Sequence, residues 1–279
     1  MPPPHHRPRP PSYVDHQLAD FASTAGTRSN HLGHWDDPDH VDPGVDVRIA
    51  QERLDEIVLD LADVRDAHRV LDVGCGFGGT MLALDRRLQG AELLGLDVDH
   101  RQLVTDRCLS PGRTNQFLWL CGDGSHLPVR SASVDRIVSI EALWHLPSRE
   151  QFLQEAARVL VPGGRVVVVD ILVQPGAGPV VGVDDRTVEA ELSSTFDPWP
   201  EVFGSVAQLE RRAVDAGLRP LRHVDATRQT APTYLDHGDG HRRPGDAGFA
   251  NSSGVRMFVA LHLAGALQVV YASFERPCA

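Results

Sequence analysis

The residues with the clearest chemical potential lie where an apolar run meets a cluster of glycines. Gly74, Gly76 and Gly79 have the spacing G-x-G-x-x-G, and Asp97 follows about 20 residues later. Glycines let the backbone turn sharply and let a cofactor approach without a Cβ in the way. A carboxylate at that distance can accept hydrogen bonds from both ribose hydroxyls. The spacing predicts a nucleoside-containing cofactor, and NAD, FAD and S-adenosylmethionine (SAM) all satisfy it.

An aspartate two residues before the first glycine separates these cofactors. NAD and FAD place a pyrophosphate on the glycine loop, where the carboxylate of Asp72 would repel it. SAM has no phosphate, and its sulfonium and α-ammonium groups are attracted by an acid. The local charge therefore favours SAM over a dinucleotide.

The composition limits the kind of protein and its partners. The chain has 279 residues, 42% of them hydrophobic, and a formal net charge of −11. This charge argues against nucleic acid as a partner, because phosphate binding needs clustered Lys and Arg. Apolar stretches fall short of a membrane span, and the four cysteines lack C-x-x-C or disulfide spacing. We expect a cytoplasmic protein that binds a small molecule and no membrane.

Strands and helices alternate along the middle of the chain. Apolar runs predict five successive strands at 68–73, 92–97, 116–121, 135–140 and 165–172. The alternation predicts an α/β fold with a doubly wound parallel sheet and right-handed crossovers. Ligands bind at the carboxyl ends of strands in such sheets, so the glycine loop and Asp97 should meet there.

The segments around this core differ from it in composition. Residues 1–19 are rich in Pro, His and Arg, which predicts a disordered tail. We interpret residues 20–62 as an N-terminal lid with a helix, and residues 63–279 as the cofactor-binding core. An insertion at about 174–203 follows the fifth strand and should cover the strand ends.

A polar loop near the C-terminal end contains His237 and His241, with acids beside them. Metal ligands at this spacing need a helix to fix their geometry, and the surrounding Gly, Arg and Pro do not favour one. We therefore interpret the segment as a plain loop and expect no metal site in the protein.

Four spaced signatures resemble those of class I SAM-dependent methyltransferases. They span about residues 68 to 172 and read LDVGCG from Leu71, GLDVD from Gly95, GDGSHLP from Gly122 and LVPGG from Leu160. The resemblance implies a Rossmann-like sheet of seven strands in which the last strand is inserted antiparallel. It also implies SAM as the cofactor.

Two further segments sharpen the resemblance within that family. Residues 139–147, SIEALWHLP, resemble the segment after strand four in sterol and tocopherol C-methyltransferases and related natural-product methyltransferases. Residues 30–35, NHLGHW, resemble an N-terminal segment that folds over the cofactor in such enzymes. The aromatic-rich sterol-binding pattern and the Asn/Asp-Pro-Pro-aromatic motif of nucleic-acid methyltransferases are absent from the sequence. A small natural product is therefore the expected substrate.

The resemblance assigns a role to each candidate residue. The glycine loop should contact the methionine part of SAM, with an acid on its ammonium group, while acids after the second and third strands should bind the ribose and the adenine. The expected cofactor contacts are Asp72, Gly74, Gly76, Asp97, Val98, Gln102, Asp123, Gly124, Ser125 and Glu141. Glu141 and His145 are the candidates at the reacting end, and His34 is a second candidate base.

The expected reaction is methyl transfer to an oxygen or carbon of a secondary metabolite such as a polyketide or terpenoid. His145 has a side chain with an ordinary pKa near 6.5, which suits removal of the acceptor's proton. A protein of this kind that binds SAM and catalyses a cyclisation or rearrangement is an alternative, as is a non-enzymatic SAM-binding partner. An NAD-dependent oxidoreductase is disfavoured by Asp72. The acceptor atom stays open, and so does the oligomeric state, for which a homodimer is the common precedent.

Overall fold

The computed structural model describes most of the chain. The described residues are 14–15, 18, 28–41, 47–106, 114–235 and 252–278. The polar loop with His237 and His241 lies outside them, as does most of the predicted tail. In the described part of the chain, no helix combines the length and the apolar character that a bilayer crossing requires.

Seven strands of the described chain form one mixed sheet. They are β1 (Arg69–Val73), β2 (Glu92–Asp97), β3 (Gln116–Cys121), β4 (Val134–Ile140), β5 (Leu160–Val173), β6 (Arg219–Asp225) and β7 (Leu267–Glu275). Their order is β3-β2-β1-β4-β5-β7-β6. Among these strands β7 alone runs in the direction opposite to the other six. The doubly wound, Rossmann-like sheet of seven strands is confirmed, including the antiparallel insertion of the last strand.

Helices pack on both faces of this sheet. In chain order they are α1 (Val47–Ala62), α2 (Gly79–Arg87), α3 (His100–Asp106), α4 (Arg149–Val159), α5 (Ala177–Val180), α6 (Asp185–Phe196), α7 (Val206–Asp215), α8 (Thr227–Thr230) and α9 (Ser253–Leu263). Several begin at a residue whose side-chain oxygen accepts the N–H three positions on, as Ser148 does before α4 and Asp184 before α6. Such caps define where these helices start.

The hydrophobic core has two layers, one on each face of the sheet. Val167 and Val169 of β5 join the layer formed with α1 and α6, while Val166 and Val168 join the layer formed with α4 and α7. Successive residues of a strand point to opposite faces, so this alternation follows from strand geometry. Both layers are apolar, which explains why the sequence of β5 reads as a continuous apolar run.

The start of β5 differs from the sequence prediction. The motif Pro162-Gly163-Gly164 predicts a helix stop with a strand from residue 165, but α4 ends at Val159 and the strand begins at once with Leu160. Gly163 has φ +79° and donates its N–H to the carbonyl of Arg276 at 2.8 Å. Glycine tolerates this left-handed conformation, so the chain bends within the strand and keeps its pairing.

The insertion after β5 lies beside the carboxyl ends of β4 and β5. It contains α5 and α6 and returns to the sheet at Phe203, which bridges Val173. Just before this return, the carbonyl oxygen of Pro198 lies 2.8 Å from Nδ1 of His145, in the 3-10 turn Leu143–His145 after β4. The insertion therefore contacts the segment that was expected to hold the reacting groups.

Candidate active site

The loop between β1 and α2 carries the glycine motif and packs against Ala142, the second residue after β4. Gly74, Gly76 and Gly78 have φ values of +79°, +53° and +74°, in the region that favours glycine. A Cβ on Gly74 would lie 2.3 Å from the Cβ of Ala142, so no side chain fits there. The glycine loop and the end of β4 are thus in direct contact.

Asp97 lies at the end of β2 beside this loop, and the residue is 8% exposed. Its carboxylate accepts the backbone N–H of Gly76 at 3.0 Å and that of Asp99 at 2.8 Å. Desolvation raises the pKa of Asp97 to about 6, although these backbone donors favour the ionised form. A carboxylate has about four acceptor positions, so two bonds leave capacity for ribose hydroxyls.

The other residues expected near the ribose and methionine parts of SAM lie around the same loop. Gln102 of α3 is buried, and its Oε1 lies 3.3 Å from where a Cβ on Gly76 would be. Val98 is half-buried next to Asp97. Asp72 is 2% exposed in the middle of the sheet, opposite Gly95 of β2 and Val138 of β4.

A third group of candidate residues follows β3. Asp123 is half-buried and accepts the N–H of Ser125 at 2.8 Å. Gly124 lies so close to Leu146 and Val73 that a Cβ would be 3.0 Å from both side chains. The Oγ of Ser125 is buried and makes no hydrogen bond to any described residue. Leaving such a group unpaired costs about 1–3 kcal/mol, so a ligand atom is its expected partner.

These three groups fit SAM. The loop provides a close approach that only glycine allows, the end of β2 provides a carboxylate for ribose, and the segment after β3 provides an acid and an unpaired hydroxyl near the expected adenine. The buried carboxylate of Asp72 suits the positive charge of the methionine part of SAM.

Replacement of Asp97 by alanine is expected to weaken SAM binding by about 1.5–3 kcal/mol, because charge-assisted hydrogen bonds to the ribose are lost. The native protein should also lose affinity when the pH falls below about 6, since its carboxyl group then becomes protonated. Calorimetric titration with SAM at pH 5 and pH 8 checks both points. A variant with native affinity at pH 8 would show that another residue holds the ribose.

Glu141 directly follows β4 and has an unusual backbone conformation. Its φ is +54°, which few residues other than glycine adopt and which recurs at functional sites. Its N–H donates to the carbonyl of Val169 at 2.9 Å, and its Oε1 accepts the N–H of Leu32 at 2.8 Å. The residue is half-buried, and desolvation raises the pKa of Glu141 to about 7. Such a group can take up a proton near neutral pH.

His145 has less basic character than the sequence suggested. Its Nδ1 faces the carbonyl oxygen of Pro198 at 2.8 Å, so Nδ1 carries the hydrogen and Nε2 is the atom that can accept a proton. Its ring stacks on Trp144 with ring centroids 3.8 Å apart. Desolvation lowers the pKa of His145 to about 4. The imidazole is therefore neutral at pH 7 and is a weaker base than the ionised carboxylate of Glu141.

His34, the second candidate base, lies beside a phenol of β7. Its Nδ1 is 3.2 Å from the hydroxyl of Tyr271 in β7, and burial lowers the pKa of His34. The pKa of Tyr271 is raised by burial and by the nearby charge of Glu141. The structure thus brings His34 and Glu141 to the same region, with a buried phenol near both.

An aromatic wall lies next to His145. It consists of Trp144, Phe196 and Trp199, whose ring centroids are 4.6–5.9 Å apart. The indole N–H groups of both tryptophans are buried and have no acceptor among the described residues. Phe258 of α9 extends the wall from Phe196 at a centroid distance of 6.0 Å.

Sequence reasoning missed Phe196 and Phe258 of this wall. Both missed residues lie on helices, α6 and α9, where an aromatic side chain is ordinarily part of the core. No local motif marks them. The described residues also contain no group of three or more His, Cys, Asp or Glu side chains that could hold a metal.

Comparison with known proteins gives consistent matches. Residues 71–168 match the family model described as a methyltransferase domain. The chain is 37% identical over 210 residues to methyltransferase GfsG of Streptomyces halstedii, covering 74% of this chain and 72% of that protein. It is 25% identical over 219 residues to 27-O-demethylrifamycin SV methyltransferase of Amycolatopsis mediterranei, covering 78% and 76%. The crystal structure of the [4+2]-cyclase SpnF has a similar fold, with a TM-score of 0.69, 22% identity and coverage of 94% and 93%.

Proposed function

The chain belongs to the SAM-dependent methyltransferases, and from this premise we propose that it methylates a hydroxyl oxygen of a small, largely apolar natural product. An oxygen acceptor is supported by the relative that methylates 27-O-demethylrifamycin SV. It is also supported by a carboxyl group suited to removing a hydroxyl proton. We further propose that the enzyme acts in the cytoplasm.

The position of Glu141 carries this proposal. Its neighbour Ala142 contacts the glycine loop at Gly74, so the carboxyl group lies close to where the methionine part of the cofactor is expected. SAM, when bound, supplies a methyl group activated by its positively charged sulfonium. Glu141, with a pKa of about 7, would accept the hydroxyl proton as the oxygen attacks. The chain's main task is to hold the acceptor oxygen in line with that methyl group.

The aromatic wall is the proposed site of the acceptor substrate. Trp144 and Trp199 are apolar and buried, at 6% and 2% exposed, and their two indole N–H groups could donate to oxygens of a substrate bound against them. A polyketide has both features, since it combines hydrocarbon with carbonyl, hydroxyl and ether oxygens. Closure of this wall against the sheet would also exclude water from the reaction.

Replacement of Trp199 by phenylalanine is expected to raise KM for the acceptor about 3- to 10-fold with little change in kcat, because a neutral hydrogen bond of about 0.5–1.5 kcal/mol is removed and an aromatic ring stays. Trp119→Phe, on the edge strand β3, is the matched control and should leave KM unchanged. Steady-state kinetics with saturating SAM give both constants. An unchanged KM for Trp199→Phe would remove the indole N–H from substrate recognition.

Comparative mass spectrometry tests the function itself. Metabolites of the source organism with and without this gene are compared, and the accumulating compound is incubated with purified protein and SAM. The proposal predicts a product heavier by one methylene unit, an O-methyl fragment, and one S-adenosylhomocysteine (SAH) per turnover. A methylated carbon in the product would keep the enzyme class and change the acceptor.

Cyclisation is the second candidate, favoured by the likeness in fold to the [4+2]-cyclase SpnF. In this case the accumulating compound would be an isomer of the normal product. The purified protein would convert it without forming SAH. The same experiment therefore separates the two functions.

A further inference from the structure

His31 belongs to the N-terminal segment, residues 28–35. Its side chain lies between the carboxylate of Asp55 in α1 and the carbonyl of Leu32. Its Nε2 is 3.6 Å from Oδ1 of Asp55, and the two side chains are 7% and 2% exposed. Its Nδ1 is 2.8 Å from the carbonyl oxygen of Leu32. Neither oxygen can donate a hydrogen, so both ring nitrogens are placed to carry one. At 3.6 Å the Nε2–Oδ1 contact is an ion pair and no hydrogen bond, so it is the charge of Asp55 that favours the imidazolium form of His31.

Asp55 connects this histidine to the glycine loop. Its Oδ1 also accepts the hydroxyl of Thr80, the second residue of α2, at 2.8 Å. The N-terminal segment touches the same place directly, since a Cβ on Gly79 would lie 2.3 Å from Oγ of Ser29. Segment 28–35 is thus fixed to the loop that is expected to hold the cofactor.

The residue after His31 connects the segment to the proposed base. The N–H of Leu32 donates to Oε1 of Glu141 at 2.8 Å, so the backbone position of Leu32 determines where the carboxylate is held. A continuous series of contacts therefore runs from α2 through Asp55, His31 and Leu32 to Glu141.

We propose that His31 is a positioning residue for the reaction: as an imidazolium held by Asp55, it fixes the N–H of Leu32 on Glu141 and favours the ionised form of that carboxyl group. This inference rests on the proposed function, in which Glu141 takes the acceptor's proton. His31 itself does not contact the reacting atoms.

The charges around His31 support a cationic ring. Burial on its own would lower the pKa of His31, but Asp55, and at longer range Glu141, raise it to about 9. The imidazolium is therefore the prevailing form throughout the neutral pH range.

The groups that face Glu141 come from several elements. Desolvation raises the pKa of Glu141, His31 of the N-terminal segment lowers it, and Asp170 of β5 raises it. Tyr234 and Tyr271 are the phenols on which the charge of Glu141 acts in turn, and the pKa of each is raised, mainly by burial. His31 is thus the cation that opposes desolvation and Asp170, so its loss should raise the pKa of Glu141 further.

The first part of the proposal, that His31 is an imidazolium held by Asp55, can be tested without an acceptor substrate. The measurement is a nuclear magnetic resonance titration of the full-length protein with SAH bound and histidine rings labelled. His31 should titrate above pH 8 in the native protein. Asp55→Asn should move this titration down by at least one pH unit. A native His31 that titrates near pH 6.5, or one that Asp55→Asn leaves unmoved, would overturn the proposal.

The pH profile of methyl transfer tests the second part, that His31 favours the ionised form of Glu141. His31→Gln removes the cation and should move the acidic limb of kcat up by about one pH unit, since an opposite charge nearby lowers a carboxyl pKa by 1–3 units. His40→Gln, an exposed histidine of the same region, is the control.

A uniform loss of rate with an unmoved pH profile would make His31 merely structural and would contradict the proposal. If the native protein forms no SAH with any acceptor, the proposed function fails, while the titration of His31 still stands or falls by itself. If a variant does not fold, the titration of the native protein decides.

Discussion

Glu141→Gln should lower the rate of methyl transfer about 10²- to 10⁴-fold, the usual contribution of a general base, with little change in SAM affinity. Glutamine has nearly the same shape, and its side-chain oxygen can still accept the N–H of Leu32. It cannot take up a proton. Single-turnover kinetics with bound SAM measure the rate, and calorimetry measures the affinity.

The pH dependence of the native enzyme follows from the same group. The pKa of Glu141 is about 7, and only the ionised carboxylate can accept a proton, so kcat should rise as the pH increases through 7. The variant should lack this rise. Burial leaves His145 neutral over the whole range, so its titration near pH 4 would produce no change around neutrality.

His145→Gln provides the comparison that decides between the two candidate bases. If it reduces the single-turnover rate more than Glu141→Gln does, then His145 is the base through its Nε2, and Glu141 supports the backbone of residues 28–35 instead. If its effect is small, the bond from Nδ1 to Pro198 defines its role, which is to hold the insertion against the turn after β4.

Arg149→Met should reduce the free energy of unfolding by about 3–5 kcal/mol, because it leaves the carboxylate of Asp170 buried without its cation. Arg149 and Asp170 are 3% and 0% exposed, and Nε and Nη2 of the arginine contact both carboxylate oxygens at 2.6 and 3.1 Å. The same guanidinium group donates to the carbonyl of Glu201 in the insertion at 2.5 Å. The pair therefore joins α4, β5 and the insertion.

Urea unfolding of the native chain, Arg149→Met and the double variant with Asp170→Leu measures this effect. The double variant removes both charges and should recover much of the loss, since an apolar pair of similar volume is often as stable as a buried ion pair. A single variant that loses less than 1 kcal/mol would mean that water reaches Asp170 when Arg149 is absent.

The sheet could be predicted from the sequence because its signals are local. The bounds of β2 and β3 agree with the apolar runs at 92–97 and 116–121, and the glycine loop has the positive φ values that its composition indicates. The start of β5 was wrong because a bend at Gly163 depends on pairing with residues more than a hundred positions away. The composition around residue 163 does not indicate that pairing.

The candidate site was less predictable for the same reason. The expected basicity of His145 assumed an ordinary imidazole, but its surroundings are set by Pro198, 53 residues later. In the sequence, Asp55 is one acid on an amphipathic helix, and no local signal links it to His31. The two side chains meet only in the folded chain. Whether the residues proposed for cofactor binding and catalysis act in those roles stays a prediction, which the variants above address.

The insertion also bears on how such an enzyme could change its substrate. The aromatic wall depends on Phe196 and Trp199, which lie in the insertion, while Asp97 and Glu141 lie at strand ends of the sheet. Under the proposed function, the part of acceptor recognition that Phe196 and Trp199 supply is therefore encoded apart from the base, whereas Trp144 lies beside Glu141. Exchange of residues 177–199 for the equivalent segment of a relative offers a direct route to a different acceptor, with the cofactor site and the base inherited unchanged.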